Sequence, residues 1–175
     1  VRLGPRHDRQ HAAGRRLGPQ PEPAGDDPRK ARGAEPGRFG GGFAGVHAAA
    51  DTEYDWPFYG TLVGAYFASH PAIQPATVRV EDRAHPATAH LPQAWNRTDE
   101  WYDYRTNARS SAHILATLDE SSYSGGTMGA DHPIAWTAEV GRGRSFYTGL
   151  GHPEAIYADP VFRRLLAAGI RYAAG

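Results

Sequence analysis

From residue 39 onward, apolar and polar positions alternate between a strand period and a helix period. Phe43 to Val46 is a short apolar run behind Gly40, Gly41 and Gly42, the pattern of a parallel strand covered on both faces. Pro57 suits the first turn of a helix. Leu62, Val63, Tyr66 and Phe67 follow at the 3–4 spacing of one buried face, and His70-Pro71 ends the run. Ala76 to Asp82 alternates and is β-branched, so it reads as a strand. Residues 85–92 read as loop or short helix, and 95–104 as a polar stretch crowded with aromatics. His113 to Asp119 is another strand, and the Gly/Ser-rich stretch 121–130 is a loop. His132 to Val140 and Arg144 to Leu150 form a hairpin across Gly141-Arg142-Gly143. Asp159 caps a closing helix with Pro160 at its first position. Phe162, Leu165, Leu166, Gly169, Ile170 and Tyr172 make its buried face. Strands interleaved with helices predict an α/β domain over 39–175.

Residues 1–38 break this pattern. They hold no Phe, Trp or Tyr, and their only large aliphatics are Val1, Leu3 and Leu17. Six Pro, six Gly and eight Arg make up much of the rest. Such a segment buries too little apolar surface to offset chain ordering, so disorder is the expectation. Two origins fit: a natural basic tail, or GC-rich bacterial DNA translated out of frame. The 18 Arg against a single Lys30, and the start at Val1, favour the second.

Formal net charge is zero, which gives no bulk electrostatic case for nucleic acid or an anionic membrane. The zero is a balance: nine Lys/Arg against five Asp/Glu in residues 1–38, ten against fourteen in the remainder. The Arg-rich segment lacks the aromatic interleaving of a nucleic-acid binder. No apolar run reaches the roughly 20 residues of a membrane helix. No secretory signal opens the chain, which places it as written in the cytoplasm; a missing true start would leave secretion open. With no cysteine, thiolate nucleophiles and Cys-ligated zinc are excluded.

Candidate chemistry gathers at the ends of predicted strands, where ligands of open α/β sheets bind. His47, His132 and His152 each stand at such a position, with Asp51, Glu100 and His70 in neighbouring motifs. His47, His132 and His152 converging beside a carboxylate would suit a divalent metal such as zinc with an open coordination position. Without metal, His47 or His152 would act as general acid or base, with Asp51 or Glu100 as carboxylate partner. Trp56, Trp101, Tyr102 and Trp136 offer rings for stacking on a sugar; the competing role is core packing, favoured for Trp136 inside its strand. Gly40-Gly41-Gly42 precedes its strand and lacks a following Lys-Ser/Thr, so it is no phosphate loop.

The run from the glycine turn through His47 to Ala-Ala-Asp51-Thr-Glu-Tyr-Asp-Trp-Pro57 resembles the ThuA-like (trehalose utilisation) family. So do Gly64-Ala-Tyr-Phe-Ala-Ser-His70-Pro71, Asp99-Glu-Trp-Tyr102, Asp131-His-Pro-Ile-Ala-Trp136 and Gly143-Arg-Ser-Phe-Tyr-Thr-Gly-Leu-Gly-His152. The resemblance covers nearly all of 39–175. It implies a class I glutamine amidotransferase-like fold, a flavodoxin-like three-layer sandwich, incomplete here at the amino terminus. Family members begin with a strand-helix-strand portion that residues 1–38 do not show. In true amidotransferases the elbow after the corresponding strand carries a nucleophilic Cys; here that position resembles His47, so thiol-based glutaminase chemistry is not expected. The resemblance implies a role in using trehalose or keto-disaccharides, with a small carbohydrate as partner and hydrolase or isomerase chemistry through a His/carboxylate site. On this view the catalytic residues are His47, Asp51, Glu100 and His152, and Trp56, His70, Trp101 and Tyr102 bind substrate. A non-catalytic carbohydrate-binding module and an inactive truncated fragment are the alternatives.

Overall fold

A computed structural model of the chain describes residues 39–175. The Arg/Pro/Gly-rich segment expected to be disordered, residues 1–38, lies outside the described residues. Among the described residues the main sheet has six strands: β1 (Gly42–Val46), β3 (Gln74–Val80), β4 (Ala94–Asp99), β6 (His113–Asp119), β7 (His132–Val140) and β8 (Gly143–Thr148). Their order is β1-β8-β7-β6-β3-β4. Only β1 and β8 are parallel; every other neighbouring pair is antiparallel. Two short strands, β2 (Phe67–Ser69) and β5 (Asp103–Tyr104), pair separately. The sheet is therefore mixed. Among the described residues β1 pairs on one side only, and Ala44 is exposed, so the strand expected to be covered on both faces is an edge here.

Two helices cover opposite faces. Helix α1 (Pro57–Val63) lies on the face of Trp136 and Tyr147, where the Trp136 indole N–H donates to the Val63 carbonyl at 2.9 Å. Helix α2 (Pro160–Ala174) lies on the other face, with Gly169 against the Phe146 ring. No helix among the described residues is long and apolar enough to cross a membrane.

The hairpin turns at Gly141 and Arg142, with Gly141 at φ 60°. Asp159 caps α2 as the sequence predicts, its carboxylate accepting the Val161 N–H at 2.7 Å. Two helix expectations need correction. The first helix stops at Val63, not beyond Phe67, because Gly64 at φ 86° leaves the helical region directly under the Trp136 ring. Tyr66 and Phe67 belong instead to the approach to β2 and to β2 itself, whose Phe67 pairs with Tyr104. In α2 the buried positions are Phe162, Leu165, Gly169 and Ala173, while Ile170 is 53% exposed. The apolar stripe is thus narrower than the hydrophobic residues suggest.

Candidate functional site

Parallel pairing of β1 with β8 puts their carboxyl ends side by side, since Val46 pairs with Thr148. The residues that follow each strand therefore share one end of the sheet. His47 comes directly after β1, at φ 44°, a left-handed conformation that non-glycine residues rarely adopt. It opens a short 3-10 turn, His47–Ala50. His152 comes four residues after β8 ends. Glu100 directly follows β4, five strands away from β1 in sheet order. A flat sheet would separate β1 and β4 by about 24 Å. The sheet curls instead, and the Asp99 carboxylate at the end of β4 accepts the N–H of Gly151 at 2.9 Å and of His152 at 3.0 Å.

That closure builds a triangle. His47 Nε2 lies 3.1 Å from Glu100 Oε2, His152 Nδ1 lies 3.1 Å from the same oxygen, and the two nitrogens are 3.2 Å apart. Each corner has a further support. His47 Nδ1 donates to the Gly149 carbonyl at 2.8 Å, which leaves its Nε2 as the lone-pair nitrogen of the neutral ring. Glu100 Oε1 lies 3.3 Å from His70 Nδ1. Asp99 also accepts the Glu100 N–H at 2.9 Å, so one carboxylate holds the backbone of two corners. His47 is 5% and Glu100 8% exposed, whereas the side chains of His70 and His152 are 41% and 42% exposed. The triangle thus has a buried floor and an open rim.

Tyr102 lies against His47 with ring centroids 4.0 Å apart. Burial, then the charges of Glu100 and Asp51, push its hydroxyl up to about 12. It therefore stays protonated at neutral pH. Burial also lifts the Asp99 carboxyl above its usual range, and its three backbone N–H partners pull against that shift.

Not every residue expected at the site is there. Asp51 is exposed and takes the Tyr54 hydroxyl proton donor; it does not join the triangle. Trp56 is half-buried against Phe58 and Tyr59. Trp101 is fully buried and its indole N–H donates to the Gln74 carbonyl at 2.8 Å, so it presents no face for a sugar. Trp136 is likewise fully buried, in the core role the sequence favours.

The metal set His47, His132 and His152 is also corrected. His132 stands at the start of β7 but is fully buried in a different cluster. Its Nδ1 faces Glu120 Oε1 at 2.8 Å and its Nε2 faces the Tyr102 carbonyl at 2.9 Å. Glu120 also accepts the N–H of Met128 and Gly129, and Asp103 accepts those of Thr127 and the Ser69 hydroxyl. Protein donors occupy this second cluster, which ties the glycine-containing loop 123–131 beneath β5. The third member of the exposed-rim cluster is Glu100. Sequence reasoning passed over Asp99, although it sits beside Glu100 at a strand end; the Gly149 carbonyl left no sequence signal at all.

Comparison with known proteins agrees with the motifs. The model of the ThuA family, described as trehalose utilisation, matches residues 35–173. No curated protein matches the chain. A solved structure of a protein described as ThuA-like from Bacteroides uniformis is 27% identical, with TM-score 0.64, over 77% of this chain and 58% of that one. A second, from Parabacteroides merdae, is 24% identical with TM-score 0.66, over 83% of this chain and 63% of that one. The chain thus spans about six-tenths of the length of these structures. Matched by the family model over most of its length, the chain belongs to the ThuA (trehalose utilisation) family.

Proposed function

We propose that this chain acts on a small carbohydrate, trehalose or a keto-disaccharide, by hydrolase or isomerase chemistry at the His47–Glu100–His152 triangle. One observation carries the reading: three proton-accepting atoms from three strand ends meet within 3.1–3.2 Å beside an open rim. Such a site suits general acid–base work on a polyhydroxylated substrate. In hydrolysis, a water oxygen adds to the anomeric carbon as the glycosidic C–O bond breaks. One proton leaves the water and one reaches the departing oxygen. In isomerisation, a proton leaves the carbon beside a carbonyl and returns at the neighbouring position. His70, whose Nδ1 lies 3.3 Å from Glu100 Oε1, is the further group at hand to hold or pass a proton. The family's description supports the substrate class. We read the complete domain as the three-layer amidotransferase-like sandwich, with helices on both faces as support.

The test is turnover of trehalose and of a keto-disaccharide by the full chain, followed by NMR of the sugar. His152→Ala is the first variant, because that side chain is exposed and its loss spares the core. Turnover should vanish while the far-ultraviolet circular dichroism spectrum is kept, and His47→Ala should behave alike where it folds. Undiminished turnover in His152→Ala would remove the assignment. Saturable sugar binding with no turnover by the unaltered chain would replace it with a binding module.

A further inference from the structure

We infer that His47, Glu100 and His152 form the protein half of a divalent metal centre of the zinc type, holding the ion through His47 Nε2, Glu100 Oε2 and His152 Nδ1. The inference rests on the carbohydrate reading and recasts its triangle: with an ion bound, these three lone pairs would serve as ligands, and a water on the ion would supply the acid–base function.

The first argument is hydrogen counting. Three contacts of 3.1–3.2 Å close a ring among two imidazole nitrogens and one carboxylate oxygen. An imidazole nitrogen in the ring plane either donates or accepts, never both. A nitrogen that gives its proton to the carboxylate leaves the next contact as two donors or two acceptors, unless the carboxyl itself is protonated. A cation in the middle satisfies all three lone pairs at once. The Gly149 carbonyl already takes the proton of His47 Nδ1, so the Nε2 lone pair is directed inward.

The second argument is size. Zinc binds imidazole nitrogen at about 2.0–2.1 Å and carboxylate oxygen at about 2.0–2.2 Å in tetrahedral geometry, which spaces the ligand atoms about 3.3 Å apart. The observed edges are within 0.2 Å of that value. Two His and one Glu with a fourth position free for water is a donor set known from catalytic zinc.

Support behind the ligands is the third. Metal-binding His and carboxylate groups are held from outside by partners that fix their orientation. Gly149 does this for His47, while Asp99 holds the backbone of Glu100 and His152; His70 Nδ1, 2.9 Å from the Pro71 carbonyl, stands 3.3 Å from Glu100 Oε1. The Asp103–Glu120–His132 cluster makes a contrast within the same molecule. Its residues also lie close enough for an ion, but both His132 nitrogens and the carboxylate oxygens are already engaged by protein groups. There the Tyr123 hydroxyl also reaches His132 Nδ1 at 3.2 Å, and the Glu120 oxygen that faces this nitrogen takes the Met128 N–H.

The test titrates zinc chloride into the full chain after exhaustive dialysis against a chelator, read by calorimetry and by the shift in thermal midpoint. We expect one tight equivalent and a raised midpoint. Losing a supporting partner of a metal ligand typically weakens binding about 10–100-fold, so His152→Ala and Glu100→Gln should each weaken it more than about 100-fold. Glu120→Gln, in the second cluster, should leave zinc affinity unchanged. No binding by the unaltered chain, or wild-type affinity in both His152→Ala and Glu100→Gln, overturns the inference. The two readings fail separately. One bound equivalent without sugar turnover leaves the metal centre standing and removes the carbohydrate reading. Turnover by protein shown metal-free by mass spectrometry does the reverse.

Discussion

Asp99, the last residue of β4, accepts the backbone N–H of His152, 53 positions further along the chain, at 3.0 Å. With the N–H groups of Glu100 and Gly151 on the same carboxylate, it is the bolt that holds a curled sheet closed around the site. Asp99→Asn keeps the volume but turns an amide N–H₂ toward at least one of these donors. A buried donor left without an acceptor costs about 1–3 kcal/mol, and that is the loss of stability expected in urea unfolding. Because the carboxylate positions Glu100 and His152 and does not itself reach the triangle, zinc affinity should fall as well. A variant that unfolds like the unaltered chain would show that the closure does not depend on this group.

Gly64 and Gly129 separate two kinds of glycine requirement. Both have positive φ, 86° and 77°. A Cβ on Gly64 would stand 2.6 Å from the Trp136 indole nitrogen, while a Cβ on Gly129 would meet nothing within 4 Å. Gly129→Ala should therefore cost only the backbone term, about 1–2 kcal/mol. Gly64→Ala adds the displacement of Trp136 from the Val63 carbonyl, and should cost about 1–3 kcal/mol more. Thermal or urea midpoints of the pair decide the matter; equal losses would mean that the contact at Gly64 relaxes freely.

Trp101 tests whether the aromatic segment after β4 binds sugar or builds core. The ring is fully buried and its N–H is spent on Gln74. Trp101→Ala should lower stability by about 3–5 kcal/mol. Trp101→Phe is the milder variant and should fold, with sugar affinity unchanged. A Trp101→Phe protein that is stable but has lost sugar binding would restore the stacking role.

The same residue shows where sequence reading reaches its limit. Strand ends are legible from period and turn signals, so His47 and His152 stand out; Glu100 stands out only through its motif, because residues 95–104 read as a polar stretch crowded with aromatics and give no sign of β4. The hairpin over 132–148 and the Asp159 cap were legible for the same local reasons. What periodicity does not carry is the direction of a side chain after the strand has ended. Glu100 turns into the site and Trp101, its neighbour, into the core. His132 and His152 stand at matching ends of antiparallel neighbours, yet one ring is fully buried beneath Tyr102 and the other reaches the rim. The Asp99 contacts with Gly151 and His152, which close the sheet over a long range, bring Glu100 beside His152. The end of α1 was misread for a related reason: Gly64 stops the helix because Trp136 lies over it, and that contact spans 72 residues.

His85 predicts a pH dependence of stability away from the site. Its Nδ1 accepts the Ala87 N–H at 3.2 Å, and its Nε2 is buried without a hydrogen-bond partner. Charging the ring requires a proton on Nδ1, which breaks the Ala87 contact. Burial accordingly holds its pKa below the ordinary 6.5; Asp82 opposes the shift and His113 adds to it, while the Tyr172 ring packs against the imidazole. A depressed histidine contributes stability that is fully present above 6.5 and is lost as the pH falls from there through the lowered folded value, because the unfolded chain takes up the proton first. His85→Asn keeps an acceptor for Ala87 and removes the titration. Urea midpoints measured from about pH 7.5 to about pH 5 should therefore fall less steeply in His85→Asn than in the unaltered chain. Parallel slopes would mean that His85 charges in the folded protein as readily as in the unfolded one, and that its burial carries no electrostatic cost.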